Sequence, residues 1–124
     1  MRVLIADDSV VVRERLVSLL ADLHGVEVIG QAEDASEARS LAVKLKPDVA
    51  ILDLRMPKGS GADVLSELKK LDPALKVIML TNYPHLENKK KCIDGGADHF
   101  FDKSTEFLRV VSVLKDMLPG PAKA

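Results

Sequence analysis

Val49-Ala50-Ile51-Leu52-Asp53-Leu54-Arg55-Met56-Pro57 is the stretch on which the fold turns. An unbroken apolar run leads into an aspartate, and Met56-Pro57 marks a turn directly afterwards. Apolar residues in succession, rather than in alternation with polar ones, suit a strand covered on both faces, as in a parallel sheet. Asp53 then stands at the C-terminal end of that strand, on the rim where side chains from other strand ends converge.

The same unit recurs on either side. Upstream, Val3 to Ala6 reads as a strand closed by Asp7-Asp8-Ser9, which also suits a helix start. Val12, Leu16, Leu19, Leu20 and Leu23 form one helical stripe, and Gly25 supplies a stop. Val26 to Ile29 is the second strand, ended by Gly30. Asp34 and Glu37 have capping-box spacing, and Ala35, Ala38, Leu41, Ala42 and Leu45 make a narrow small-residue face until Pro47 stops the helix.

Downstream, Lys58-Gly59-Ser60-Gly61 is loop chemistry, with Ser60 placed to cap a helix carrying Val64, Leu65, Leu68 and Leu71 before Asp72-Pro73. Val77 to Leu80 is the fourth strand, leading into Thr81. A helix from about His85 to Asp94 precedes Gly95-Gly96, and a short fifth strand, His99 to Phe101, leads into Asp102-Lys103. The last helix is expected from about Ser104, with Glu106 in its first turn and Phe107, Val110, Val111, Leu114 and Met117 on one stripe, until Pro119. The folded unit is thus expected over residues 1–118, with 119–124 a disordered tail.

Strands and helices in strict alternation imply an α/β fold of the doubly wound (βα)5, flavodoxin-like kind. This is a three-layer sandwich around a parallel five-stranded sheet of order 2-1-3-4-5. A chain of 124 residues makes one domain. Its formal net charge of -1 excludes a broad cationic field for nucleic acid or an anionic membrane. The opening apolar run, Met1 to Ala6, is too short for a signal or membrane segment. Cys92 stands alone and reads as a small buried hydrophobe in a protein of the reducing cytoplasm. His24, His85 and His99 lack metal spacing.

Strand ends carry the chemistry. Asp7 and Asp8 follow the first strand, Asp53 the third, Thr81 the fourth and Lys103 the fifth, while the second offers only Gly30 and lies at an edge in this order. Three carboxylates on one rim repel one another, and a hard divalent cation relieves that repulsion. Magnesium keeps several waters and accepts phosphate oxygens as further ligands. With Lys103 as a point charge and Thr81 as a donor, the rim is complementary to a phosphoryl group on Asp53, whose carboxylate is already ionised at neutral pH.

The Asp7-Asp8 pair, Asp53-Leu54-Arg55-Met56-Pro57, Thr81 after an apolar strand, and Gly96-Ala97-Asp98-His99-Phe100-Phe101-Asp102-Lys103 together resemble the receiver domain of two-component response regulators, over almost the whole chain. The resemblance implies transfer of a phosphoryl group to Asp53 from a sensor histidine kinase or a histidine phosphotransfer protein. It implies magnesium, with manganese as the alternative, held by Asp8, Asp53 and the Arg55 carbonyl directly and by Asp7 through water. Thr81 and Lys103 would bind the phosphoryl oxygens, and Thr81 and Phe100 would act as switch residues. The readout surface would be the helix from His85, the fifth strand and the last helix. Arg55 and Tyr83 would flank the phosphoryl group and set its lifetime. Such a domain is a phosphoacceptor rather than an enzyme on an outside substrate, with self-catalysed phosphorylation and dephosphorylation. It would bind a downstream protein, with no direct nucleic-acid binding and no membrane insertion, as a monomer or a phosphorylation-dependent dimer. Ser104 departs from the proline that many receivers carry after the lysine, and Lys103-Ser104 resembles receivers attached to DNA-binding output domains.

Plainer readings stand beside these. Asp7-Asp8-Ser9 is also a sufficient helix cap, and Phe100 also a core residue with Phe101 on the opposite face; Lys89-Lys90-Lys91 is either a partner-docking patch or a solvated helix face. An aspartate-nucleophile phosphatase usually has a second aspartate where this chain has Arg55. The remaining alternatives are the receiver of a longer DNA-binding regulator and a phosphorylation-independent interaction module.

Overall fold

Alternation along each strand decides which helix its side chains meet. In the computed structural model, which describes residues 1–118, β3 (Val49–Leu52) is buried throughout. Val49 and Ile51 join one apolar layer, and Ala50 and Leu52 join the other. The same division holds in β1 (Arg2–Ala6), where Val3 and Ile5 face away from Leu4 and Ala6. Helices on both faces are therefore what the unbroken apolar runs required.

β2 (Glu27–Ala32), β6 (Lys76–Thr81) and β7 (His99–Asp102) complete a sheet of order β2-β1-β3-β6-β7, every pairing parallel. This is the expected doubly wound order, with a two-residue-per-strand hairpin, β4 (Arg55–Met56) and β5 (Gly59–Ser60), inserted after β3. α1 (Val10–Ala21) and α5 (Arg109–Met117) cover the Val49 and Ile51 face through Leu16, Leu20, Val110 and Leu114. α2 (Ala35–Leu45), α3 (Gly61–Leu71) and α4 (Leu86–Asp94) cover the other. Ala35, Ala38 and Ala42 are the buried residues of α2, so small side chains let that helix approach the sheet closely.

Several boundaries differ from the sequence reading. Gly30 lies inside β2 and does not end it: the β1 pairing skips a residue between Val28 and Gly30, and a Cβ on Gly30 would come within 2.9 Å of Leu45. A bulge and a close neighbour thus account for this glycine. α1 ends at Ala21, before Leu23, and Gly25 takes a φ of 90° beyond the turn.

The last helix begins at Arg109, not near Ser104. The Asp102 carboxylate accepts from the Ser104 N–H at 2.9 Å and from its hydroxyl at 2.7 Å, while Glu106 Oε1 accepts from the Asp102 N–H. These local bonds hold 103–108 in turns, so Glu106 is not in the first turn of α5. Leu71, expected on the buried stripe of α3, is 68% exposed. The tail expected to be disordered, 119–124, lies outside the described residues.

Candidate functional site

Strand order brings the singled-out residues to one rim. Asp7 and Asp8 follow β1, Asp53 follows the neighbouring β3, Thr81 ends β6 and Lys103 follows β7. α1 leaves β1 onto one face of the sheet and α3 follows β3 onto the other, so the crevice between these strands is the switch point of the fold.

The carboxylates differ in setting. Asp7 and Asp53 are buried and Asp8 is exposed, yet each offers an oxygen within 4.8 Å of the others. Lys103 Nζ lies 2.6 Å from Asp7 Oδ2 and 3.1 Å from Asp53 Oδ2. Asp7 Oδ1 accepts from the Ser9 N–H at 2.9 Å. Ser9 in turn caps α1, its hydroxyl oxygen accepting from the Val12 N–H. The cap and the acidic site are therefore one piece of structure rather than competing readings of Asp7-Asp8-Ser9. Asp53 Oδ1, by contrast, is buried with no hydrogen-bond partner among the described residues.

Burial pushes the Asp53 carboxyl above its ordinary pKa; the Lys103 charge opposes this and the Asp7 charge adds to it. Burial alone would lower Lys103, but its bond to Asp7 and the charges of Asp53 and Asp7 outweigh that, holding the ammonium above its ordinary value. Among the described residues, Lys103 alone pairs with the two buried aspartates, which leaves the crevice short of positive charge. Hard oxygen donors, an orphaned buried carboxylate oxygen and an exposed third carboxylate fit a hard divalent cation.

Thr81 is fully buried and its Oγ1 accepts from the Tyr83 N–H at 3.0 Å. Arg55, in the β4–β5 hairpin, places its guanidinium carbon 4.1 Å from the centroid of the Tyr83 ring. The two residues read as flanking the site thus touch each other. Phe100 is buried on the α3 side and Phe101 on the α5 side of β7. Phe100 is thus a core residue of the α3-side layer. Lys89, Lys90 and Lys91 are exposed, and Cys92, on α4, is buried in the same core layer as Phe100, with burial raising its thiol pKa.

Two contributors escaped the sequence reading. Arg13 donates to the Asp7 carbonyl at 2.6 Å, anchoring the strand end from α1. Gly61, read only as loop chemistry, starts α3 so close to the acid that a Cβ would lie 2.0 Å from the Asp53 carbonyl oxygen. The signal in the sequence was the second glycine of Gly59-Ser60-Gly61, needed for close approach rather than for a turn.

Fold and rim together define a class, the doubly wound domain with an acidic cluster and a lysine at its switch point. The family model described as response regulator receiver domain matches residues 3–115. The chain belongs to the response regulator receiver domain family. It is 33% identical over 119 residues to the DNA-binding transcriptional activator DevR/DosR of Mycobacterium tuberculosis, covering 96% of this chain and 55% of that protein. It is likewise 33% identical to the response regulator protein VraR of Staphylococcus aureus, covering 57% of it. The chain thus spans little more than half the length of these curated relatives. Among solved structures, the response regulator domain of Thermotoga maritima CheB superposes with a TM-score of 0.83 at 31% identity, over 94% of this chain and 92% of that one. Among the described residues, no helix is long and apolar enough to cross a membrane.

Proposed function

We propose that Asp53 is the phosphoacceptor of a two-component receiver spanning residues 1–118. The observation that carries this reading is the division of labour on its buried carboxylate: Oδ2 is held by Lys103 and Oδ1 has no partner among the described residues. A phosphohistidine on a sensor kinase or a phosphotransfer protein is the donor. Asp53 Oδ2 attacks phosphorus, the new P–O bond forms, the P–N bond breaks, and the imidazole leaves with the electron pair and takes up a proton. Lys103 follows the charge from the carboxylate onto the phosphoryl oxygens, and Thr81 donates its hydroxyl to them. Hydrolysis returns the carboxylate and inorganic phosphate.

Asp8, Asp53 and the Arg55 carbonyl would hold magnesium, or manganese in its place, with Asp7 acting through water. The ion supplies positive charge for the oxygens of the transferring group. Thr81 and Phe100 form the switch, since a new cluster of negative oxygens draws on the Thr81 hydroxyl now bonded to the Tyr83 N–H. Readout by a downstream protein falls to α4, β7 and α5, in a cytoplasmic protein that acts as a monomer or a phosphorylation-dependent dimer and does not itself bind nucleic acid. The domain is a phosphoacceptor and not an enzyme acting on an outside substrate.

Intact mass after incubation with magnesium and acetyl phosphate tests this. Wild type is expected to gain one phosphoryl group, and the Asp53→Asn variant and a chelated sample none. A gain undiminished in Asp53→Asn would overturn the assignment. A second reading, a receiver working within a longer DNA-binding regulator, is favoured by the DevR/DosR relative, a DNA-binding transcriptional activator of which this chain spans 55%. Immunoblotting the native protein for its length decides between them.

A further inference from the structure

At the end of the sheet opposite Asp53, α2 and α3 finish beside each other. Between their last turns opens a cavity of about 330 Å³, lined chiefly by apolar side chains, Val43, Leu68, Leu71 and Leu75 among them, together with Lys46 and Asp72. Val43 is 60% and Leu71 68% exposed; of the large apolar side chains exposed among the described residues, these two share one cavity. A neighbouring hollow of about 520 Å³ shares Pro47, Asp72 and Leu75 and continues to Met1 and Met117. The depression is therefore elongated, a shape that suits a peptide segment better than a compact small molecule.

Its surroundings are basic. Lys46 lines the cavity, with its backbone at a φ of 49° and its carbonyl held by Arg2 at 2.8 Å. Lys44 and Lys70 occupy the last turns of α2 and α3. Among the described residues none of these three lysines is in an ion pair, whereas Lys69 is engaged with Asp98 and the Leu75 carbonyl. The acids of the depression, Asp72 and, in the second hollow, Asp48, are held by backbone, accepting from the Ala74 and Arg2 N–H groups respectively. Positive charge is thus in surplus around an apolar floor.

We propose that this groove docks an acidic amphipathic segment of a partner protein, its apolar face on Val43 and Leu71 and its carboxylates on Lys44, Lys46 and Lys70. Charge selects this occupant. Residues 119–124 of the chain include Lys123 and no acidic side chain, so they bring no carboxylate side chain to meet these lysines. A second copy meeting the groove through a two-fold axis would set the same lysines against each other. The site stands at the far end of the sheet from the acidic crevice, so docking here goes beyond the phosphoacceptor reading and does not depend on it.

The test is titration of the isotope-labelled 124-residue chain with a synthetic helical peptide of about 14 residues, leucines along one face and glutamates on the other. A second peptide with lysine for every glutamate is the control. Amide shifts at Val43, Lys46 and Leu71 are expected with the glutamate peptide alone, weakening with salt. Affinity is expected to fall at least about tenfold in Leu71→Ser and in the Lys46→Glu, Lys70→Glu double variant. Both variants should keep the wild-type amide spectrum away from the groove, which shows that they are folded. Equal binding of both peptides, shifts centred on α4 and α5, or no shifts at millimolar peptide would overturn the proposal. So would self-association that is lost in Leu71→Ser, which would assign the groove to a second copy.

Discussion

Lys103 Nζ stands 2.6 Å from Asp7 Oδ2, with only 8% and 3% of the two side chains reaching solvent. The same ammonium reaches Asp53 at 3.1 Å. Removing it would leave two buried carboxylates facing each other without a cation. Replacement of Lys103 by methionine is therefore expected to lower the unfolding free energy by about 3 kcal/mol at neutral pH, measured by urea denaturation in chelator. Magnesium is expected to restore part of that loss, because binding to the folded crevice alone stabilises it. Wild-type stability of the variant in chelator would show that the ammonium does not balance these acids.

Asp53 supplies the opposite sign. Its carboxyl is held above the ordinary value, chiefly by burial, so the folded chain binds this proton more tightly than the unfolded chain does. Ionisation of Asp53 at neutral pH then opposes folding. In metal-free buffer Asp53→Asn is expected to be more stable than wild type, by on the order of 1 kcal/mol, with Asp7 still pairing Lys103. The gain should shrink as pH falls through the folded pKa of Asp53 and vanish below the ordinary carboxylate range, where both states are protonated. Lys103, held above its own ordinary value, contributes stability below the ordinary lysine range that is lost as pH rises through its folded value. Paired thermal melts across the acid range check the first sign; an Asn variant less stable than wild type at neutral pH would contradict it.

The Arg55 guanidinium lies over the Tyr83 ring at 4.1 Å, joining the hairpin after Asp53 to the loop after Thr81. If Asp53 carries a phosphoryl group, a contact joining these two loops is expected to restrict the approach of water to it. Each residue changed to alanine is expected to shorten the phosphorylated lifetime roughly two- to fivefold, and the double variant little more than either single one, because both remove one contact. Dephosphorylation timed by intact mass after removal of the donor measures this. An unchanged lifetime in the double variant would remove the pair from any such role.

What the sequence disclosed was largely what local chemistry decides. Ser9, Asp34 and Ser60 cap their helices through bonds spanning three residues, and that spacing is visible in the chain. Asp53 was legible because an apolar run fixes where its strand ends. The start of α5 was not: Glu106 resembles a first-turn acid, but the Asp102 carboxylate recruits Ser104 and delays the helix to Arg109. Gly30 was misread because a glycine inside a bulged strand looks like one that ends it, and only the position of Leu45 separates the two. Leu71 continues the periodic stripe of α3 beyond the point where the sheet covers it, and periodicity carries no information on where cover stops. The Arg13 bond to the Asp7 carbonyl and the Arg55 contact with Tyr83 join separate elements, so neither leaves a local pattern.

Gly61 gives the acid its place. A Cβ there would lie 2.0 Å from the Asp53 carbonyl oxygen, 2.9 Å from its carbon and 3.0 Å from the Leu54 Cα, while the Gly61 N–H donates to the Leu54 carbonyl at 2.7 Å. All three neighbours are backbone, so no side chain can turn aside to make room. Gly61→Ala must therefore move either the first turn of α3 or the Asp53–Leu54 peptide, at a cost of about 1–3 kcal/mol. Gly59→Ala is the matched control: its φ of 141° is strained for alanine, but the nearest atom to its Cβ is that of Ala35, away from the acid. Both variants are expected to lose stability. Under conditions where each is folded, only Gly61→Ala should also gain its phosphoryl group from acetyl phosphate more slowly, because only there does Asp53 shift against Lys103. Equal rates in the two folded variants would reduce Gly61 to a packing residue.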